Sequence, residues 1–209
     1  MCIRDSYWAI PEAEPTAVNG RWHPGPGMAF FDHLKRELGS LPLIAEDLGE
    51  ITPEVVALRE RLGFPGMKIL QFAFDGQSAN PYLPHNFTGT NCLVYTGTHD
   101  NNTSNGWFYG PETDEAQKQA ILDYMDLGHR DEFHWHFIRL AMQSVARLAV
   151  FPVQDVLGYD ENFRLNTPGQ AAGNWRWRLT PGALTPGLGR RLRRLTEMFN
   201  RLPAAPSLS

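Results

Sequence analysis

The chain has 209 residues, 42% hydrophobic and 20% charged, an ordinary composition for a globular protein with one sizeable core or two small ones. Its net charge of -4 argues against nucleic acid as the main partner, and no apolar stretch approaches the ~20 residues needed to cross a bilayer, which argues against a membrane partner. Two cysteines, Cys2 at the extreme terminus and Cys92 inside an apolar run, make no disulfide framework and point to a reducing cytoplasm.

Taken in chain order, Met1–Ser6 lacks the apolar core of a signal peptide. Ala29–Leu38 reads as a short helix, with Phe30, Phe31, Leu34 and Leu38 at helical spacing and Gly39 closing it. Leu41–Ala45 is short and almost wholly apolar, as expected of a strand covered on both faces. Thr52 has the form of an N-cap, with Pro53 at the first helical position and Glu54 in the first turn; this helix runs through Val55, Val56, Leu58 and Leu62 and stops at Gly63. Met67–Phe74 is a second apolar run, 75–91 a loop rich in Asn, Pro and Gly, and Cys92–Tyr95 a third run. Residues 112–127 and 131–148 read as two helices, with Asp131 placed to cap the second. Ala149–Val153 is a fourth run, in which Pro152 restricts ladder bonding. A polar loop over 162–173, a last helix over about 187–202 and a frayed Pro/Ala/Ser tail over 203–209 complete the chain.

Alternating strands and helices predict βαβ units and a parallel sheet, hence the α/β class. A complete (β/α)8 barrel needs about 250 residues, so four strands spread over this length amount to about half of one, padded by helical and loop insertions.

Two short acidic motifs close apolar runs: Ile44-Ala45-Glu46-Asp47-Leu48-Gly49, and Tyr95-Thr96-Gly97-Thr98-His99-Asp100-Asn101. A carboxylate exposed where a buried strand ends is where sugar-cleaving barrels keep their catalytic acids. Taken singly, each has a plainer explanation: an acid favoured by a helix macrodipole for Glu46, a polar turn for His99-Asp100. Side chains alternate along a strand, so only one of Glu46 and Asp47 can point into a cleft. His129, His134 and His136 form a tempting cluster. His134 and His136, however, are two apart on a helix and share no face, whereas helix-borne zinc ligands need a spacing of three or four; no metal site is expected. Arg190–Arg194 reads as a solvated helix face. Trp175 and Trp177 alternate as on a strand, one for the core and its neighbour for a groove. Six tryptophans and an aromatic content of 11% suit flat sugar faces, although core packing is the better explanation for any single one.

Further motifs stand in order along the chain: Tyr7-Trp8-Ala9-Ile10-Pro11, Asn19-Gly20-Arg21-Trp22, Ala45-Glu46-Asp47-Leu48-Gly49-Glu50-Ile51-Thr52-Pro53-Glu54-Val55 and Gly63-Phe64-Pro65-Gly66-Met67-Lys68. They continue with Asn80-Pro81-Tyr82-Leu83-Pro84-His85-Asn86, Tyr95 to Asn101, Val153-Gln154-Asp155-Val156-Leu157-Gly158, Asn166-Thr167-Pro168-Gly169 and Gly173-Asn174-Trp175. With these residues the chain, from Tyr7 to about Leu202, resembles the C-terminal portion of glycoside hydrolase family 77, the 4-alpha-glucanotransferases of the amylomaltase or disproportionating-enzyme type.

The resemblance implies the C-terminal half of a (β/α)8 barrel, with the runs at Leu41, Met67, Cys92 and Ala149 as its fifth to eighth strands. It implies one partial catalytic barrel over 7–202, with 1–6 foreign to the family or artefactual. It also implies a retaining enzyme that passes α-1,4-glucan segments to the 4-hydroxyl of an acceptor. Glu46 matches the acid/base, Asp100 the transition-state stabiliser and His99 the histidine that holds sugar hydroxyls, while Asn166 is a candidate glucan contact. The nucleophilic Asp does not carry over. Its Arg-Ile-Asp-His-Phe-Arg-Gly-Phe-like motif precedes the Tyr-Trp seen here as Tyr7-Trp8, which puts it at or before Met1, and Asp5 lacks that context. The chain is therefore expected to lack both a nucleophile and the N-terminal half of the barrel, and to be inactive alone. The implied partners are maltooligosaccharides and α-1,4-glucans, with no cofactor, because two carboxylates and positioning suffice. The competing readings are an α-amylase-clan hydrolase, which shares the three-acid layout, and a non-catalytic glucan-binding piece.

Overall fold

The computed structural model of the protein describes residues 6–49 and 51–203. Cys2, Asp5 and the rest of 1–5, Glu50 of the acidic motif, and 204–209 of the expected tail lie outside the described residues. The chain divides into two compact units, Met1–Met67 and Lys68–Ser209.

The first unit opens with an antiparallel hairpin absent from the sequence reading. β1 (Ser6–Ala9) pairs with β2 (Arg21–Pro24) in a register that sets Trp8 opposite Trp22. Their rings meet edge-on at 5.3 Å, a cross-strand aromatic pair of the kind that fixes register. α1 (Gly27–Leu38) ends at Gly39 as expected. Phe31 is buried against Phe64 and Ala45, with Leu34 packed alongside, whereas Phe30 and Leu38 are exposed. α2 (Pro53–Leu62) follows Thr52, with Pro53 in its first turn, and ends at Gly63.

The strand expected over Leu41–Ala45 does not form. Pro42 has no N–H, the Leu43 N–H closes back on the Leu41 carbonyl at 2.9 Å, and Ala45 bonds to the Pro65 carbonyl at 2.9 Å. A tight turn of this kind diverts the groups a ladder would use. Nor is the segment covered on both faces: Ala45 is buried, while Leu43 and Ile44 are 41% and 50% exposed.

The second unit is α/β. β3 (Gly66–Ile69), at the junction of the units, β4 (Cys92–Tyr95) and β5 (Leu148–Val150) form a sheet in the order β3-β4-β5, and β4 runs parallel to β5. The second apolar run is strand only to Ile69; Leu70–Phe72 turn into a 3₁₀ helix. The fourth run shifts and shortens, because Pro152 caps α6 (Val153–Leu157) and the chain turns helical at Val153. α6 and α3 (Ser104–Tyr109) are too short to show a periodic signal.

α4 (Glu115–Tyr124) is shorter than the predicted 112–127, because the Asp114 carboxylate accepts from the Gln117 N–H at 2.7 Å and sets its start. α5 (Phe133–Gln143) corrects the expected Asp131 cap. Glu132 stands at the cap position with a left-handed φ of 50° and no side-chain capping bond. Its carboxylate is drawn instead to the Arg191 guanidinium in two bonds of 2.6 and 2.8 Å. Arg191 also lies 4.3 Å above the Trp135 ring, so the Arg190–Arg194 face is only partly a solvated one. The core of the unit is aromatic: Phe108 stacks on Phe133 at 3.8 Å, and Trp107 on Phe137 at 5.5 Å.

α7 (Pro186–Met198) stops short of Leu202. Asn200 takes a left-handed φ of 52° and the Arg201 N–H reaches back to the Thr196 carbonyl at 2.8 Å, closing the helix end. The Arg201 side chain then donates to the carbonyls of Met142, Ser144 and Ala146, at 2.5, 2.7 and 3.0 Å, satisfying the end of α5 and the turn after it. Arg201→Ala leaves these carbonyls unpaired and is expected to lower stability by about 2 kcal/mol in a urea titration. An unchanged midpoint would show that water replaces the guanidinium without loss.

Candidate active site

Glu46 and Asp47 sit in one irregular segment of the first unit and have different surroundings. Asp47 is mostly buried. Its Oδ2 accepts from Arg59 Nη1 at 2.5 Å and its Oδ1 from the Met67 N–H at 2.7 Å. Gly66 makes this possible, since a Cβ there would lie 2.3 Å from both Asp47 Oδ2 and Arg59 Nη1. Asp47 is thus committed to its own unit, while Glu46 is exposed.

In the second unit β4 delivers the chain into the 96–103 loop, which carries His99 and Asp100. Thr98 shapes its tip: the Thr98 N–H and hydroxyl both donate to Asn101 Oδ1 at 2.9 Å, and the hydroxyl accepts from the Asp100 N–H at 3.2 Å. Gly97 lets the Gln71 amide pass beneath the tip, where a Cβ would meet its nitrogen at 2.7 Å, and Gln71 donates to the Asn102 carbonyl at 2.9 Å. The loop is held from below by Asp155, which is buried. Its Oδ2 accepts from the hydroxyls of Thr96 and Ser104, both at 2.6 Å, and its Oδ1 from the Ser104 N–H at 2.7 Å. Burial pushes the Asp155 carboxyl above its ordinary value, with these donors pulling the other way.

Three of the four predicted site residues come together here. Asn166 Nδ2 donates to Asp100 Oδ1. His99 Nε2 lies 3.5 Å from Asp100 Oδ2, and both side chains are about half exposed. The His99 ring packs 5.0 Å from that of Trp175. Trp175 is not on a strand, contrary to the alternation expected with Trp177. It holds a left-handed φ of 64°, and its N–H donates to the Leu165 carbonyl at 2.8 Å. The Asn166 loop is closed by Asn174, whose Oδ1 accepts from the Thr167 N–H at 2.9 Å. The result is a carboxylate, an imidazole and an amide gathered beside an exposed indole, an arrangement able to bind sugar hydroxyls and to face a positively charged ring.

Sequence reasoning missed Arg164, Glu112, Asn102 and Asp155, which support this cluster through tertiary contacts. It also missed a cavity of ≈ 590 Å³ in the second unit, lined in part by Phe74, Asp75, Gln77, Leu83, Gln117 and Tyr124. None of the four predicted site residues lines it. The Gln77 backbone N–H first, and then the Asn80 side chain, hold the Asp75 carboxyl below its ordinary value. The three histidines have separate surroundings: His129 and His136 meet edge-on at 5.6 Å, whereas His134, which burial pushes down to about 4, lies 3.4 Å from the Asn105 amide. Among the described residues no group of three or more His, Cys, Asp or Glu is arranged to hold a metal ion.

The family model for 4-alpha-glucanotransferase, glycoside hydrolase family 77, matches residues 5–185. A 4-alpha-glucanotransferase of Synechocystis sp. is 50% identical over 198 residues, 94% of this chain and 39% of that protein. One from Thermus thermophilus is 49% identical over 202 residues, 95% of this chain and 40% of its relative. The chain thus spans about two-fifths of the length of these relatives. Among solved structures, an amylomaltase from Streptococcus agalactiae in complex with acarbose superposes with a TM-score of 0.89 at 35% identity, covering 96% of this chain and 40% of that one. Over most of its length, then, the chain belongs to the 4-alpha-glucanotransferases of glycoside hydrolase family 77.

Proposed function

We propose that the chain is the C-terminal part of a 4-alpha-glucanotransferase and supplies two of its three acids. The observation that carries this reading is the cluster in which Asp100 and His99, on the loop beyond the parallel strand β4, meet Asn166 from the loop after α6, within a chain whose family match covers residues 5–185. In this reading 7–202 is the C-terminal half of a (β/α)8 barrel, with the segment at Leu41 in the place of the fifth strand and β3, β4 and β5 as the sixth, seventh and eighth.

In the parent enzyme an upstream Asp attacks the anomeric carbon while Glu46 donates a proton to the leaving glycosidic oxygen. Asp100 stabilises the positive charge that grows on the sugar ring. Glu46 then removes the proton from the acceptor 4-hydroxyl as it attacks the glucosyl-enzyme, so each proton is returned within the cycle. His99 and Asn166 hold donor hydroxyls. The substrates are α-1,4-glucans and maltooligosaccharides, a class supported by the acarbose bound to the Streptococcus agalactiae amylomaltase. The upstream nucleophile, these two acids and positioning carry the chemistry without a cofactor. A reducing cytoplasm suits Cys92, a buried cysteine in no disulfide.

The test is disproportionation of maltotriose, read as glucose release and an oligosaccharide ladder. The 209-residue chain alone is expected to give neither. Completed with the upstream half that carries Arg-Ile-Asp-His, it is expected to give both. Robust transfer by the chain alone would overturn the placement of the nucleophile, and a folded but inactive completed enzyme would overturn the functional reading.

A further inference from the structure

We infer that Arg164 is the positioning residue of this site, tying the backbone of the stabilising carboxylate to that of the asparagine that orients it; the inference rests on the functional reading above. Arg164 Nη2 donates to the Asp100 carbonyl at 2.7 Å, and its Nε donates to the Asn166 carbonyl at 3.0 Å. The side chains of those same two residues meet each other, Asn166 Nδ2 on Asp100 Oδ1. The four groups make a closed ring: one guanidinium joins the two backbones and one side-chain bond joins the two tips. Without the guanidinium, Asp100 and Asn166 belong to loops 66 residues apart in sequence, and the bond between their tips alone must hold both.

The Arg164 side chain is itself fixed. Its Nη1 lies 3.6 Å from Glu112 Oε1, the same oxygen that accepts from Asn102 Nδ2 at 2.7 Å. Asn102 lies on the loop that carries Asp100, and its carbonyl takes the Gln71 amide. Arg164, Glu112 and Asn102 thus form a second closed path back to the same loop. A guanidinium suits the first ring because its planar fork serves two carbonyls at once, whereas an ammonium is a single compact charge. Arg164 does not bond the Asp100 carboxylate, so it leaves that group to the sugar and sets only its position.

The test uses the enzyme completed with its upstream half and a double-mutant cycle. Arg164→Met is expected to lower kcat for maltotriose disproportionation by roughly 10²-fold, the scale of a misplacement near 1 Å. In an Asp100→Asn background the same change is expected to cost less than about threefold, because a residue acting through Asp100 has little left to position. Arg164→Lys is expected to stay near the Met variant, since charge alone does not replace the fork. It also serves as the cycle partner if Arg164→Met does not fold, with thermal melts confirming that each variant does. Equal losses in both backgrounds, no loss at all, or full rescue by Lys would each overturn the inference. If the completed wild-type enzyme shows no transfer, the functional reading falls first and the inference falls with it.

Discussion

Glu46→Gln in the completed enzyme is expected to reduce disproportionation of maltotriose by about 10²–10⁴-fold, the range of a lost general acid. The same variant is expected to keep some attack on an activated glycosyl fluoride, read as a first-turnover burst of fluoride, although the later transfer step still lacks its base. Fluoride leaves without a proton, so formation of the glucosyl-enzyme no longer needs Glu46, whereas an unactivated glucan oxygen does. The two substrates therefore separate a proton donor from a residue that merely binds. Equal loss on both would show that Glu46 has another role. The neighbouring Asp47 provides a control of a different kind. Its oxygens are taken by Arg59 and the Met67 N–H, so Asp47→Asn acts on the folding of its own unit rather than on proton delivery.

Asp100→Asn is expected to lower transfer by roughly 10²–10³-fold on both the glucan and the glycosyl fluoride. The substitution is close to isosteric. An amide oxygen in place of Asp100 Oδ1 can still accept from Asn166 Nδ2, and the backbone carbonyl held by Arg164 is untouched. What disappears is the negative charge, and charge on the sugar ring develops whatever the leaving group. A loss confined to the glucan would assign Asp100 to leaving-group chemistry and contradict its role as stabiliser. Measuring the two variants side by side gives opposite patterns: substrate-dependent for Glu46 and substrate-independent for Asp100.

The sequence carried the local structure wherever one segment contained its own explanation. The stop of α1 and the start and stop of α2 were readable from Gly39, Thr52, Pro53 and Gly63, because these signals act within a turn of the helix end they mark, whereas α1 starts two residues before the expected Ala29. β4 was readable from four consecutive residues with a buried run. The full series of motifs from Tyr7 to Trp175, in their order along the chain, was enough to name the family, since motif order is a property of the sequence itself.

Tertiary structure decided the rest, for reasons of distance and competition. Leu41–Ala45 has the composition of a strand, yet Pro42 and the turn at Leu43 divert its backbone groups, and composition does not say where a carbonyl is used. Asp131 looked like a cap because the sequence does not show that the next residue, Glu132, takes the cap position in a left-handed conformation while its carboxylate pairs with Arg191. Trp175 and Trp177 had the spacing of a strand, but a left-handed turn at Trp175 brings its ring beside His99 instead. The sequence could nominate Asp100, His99 and Asn166 by motif. That Asn166 meets Asp100, that Arg164 joins their backbones and that Asp155 holds the loop from beneath are contacts between residues tens of positions apart. Such contacts exist only once β4, β5 and α6 have packed, because it is packing, not sequence spacing, that brings a donor within 3 Å of its acceptor.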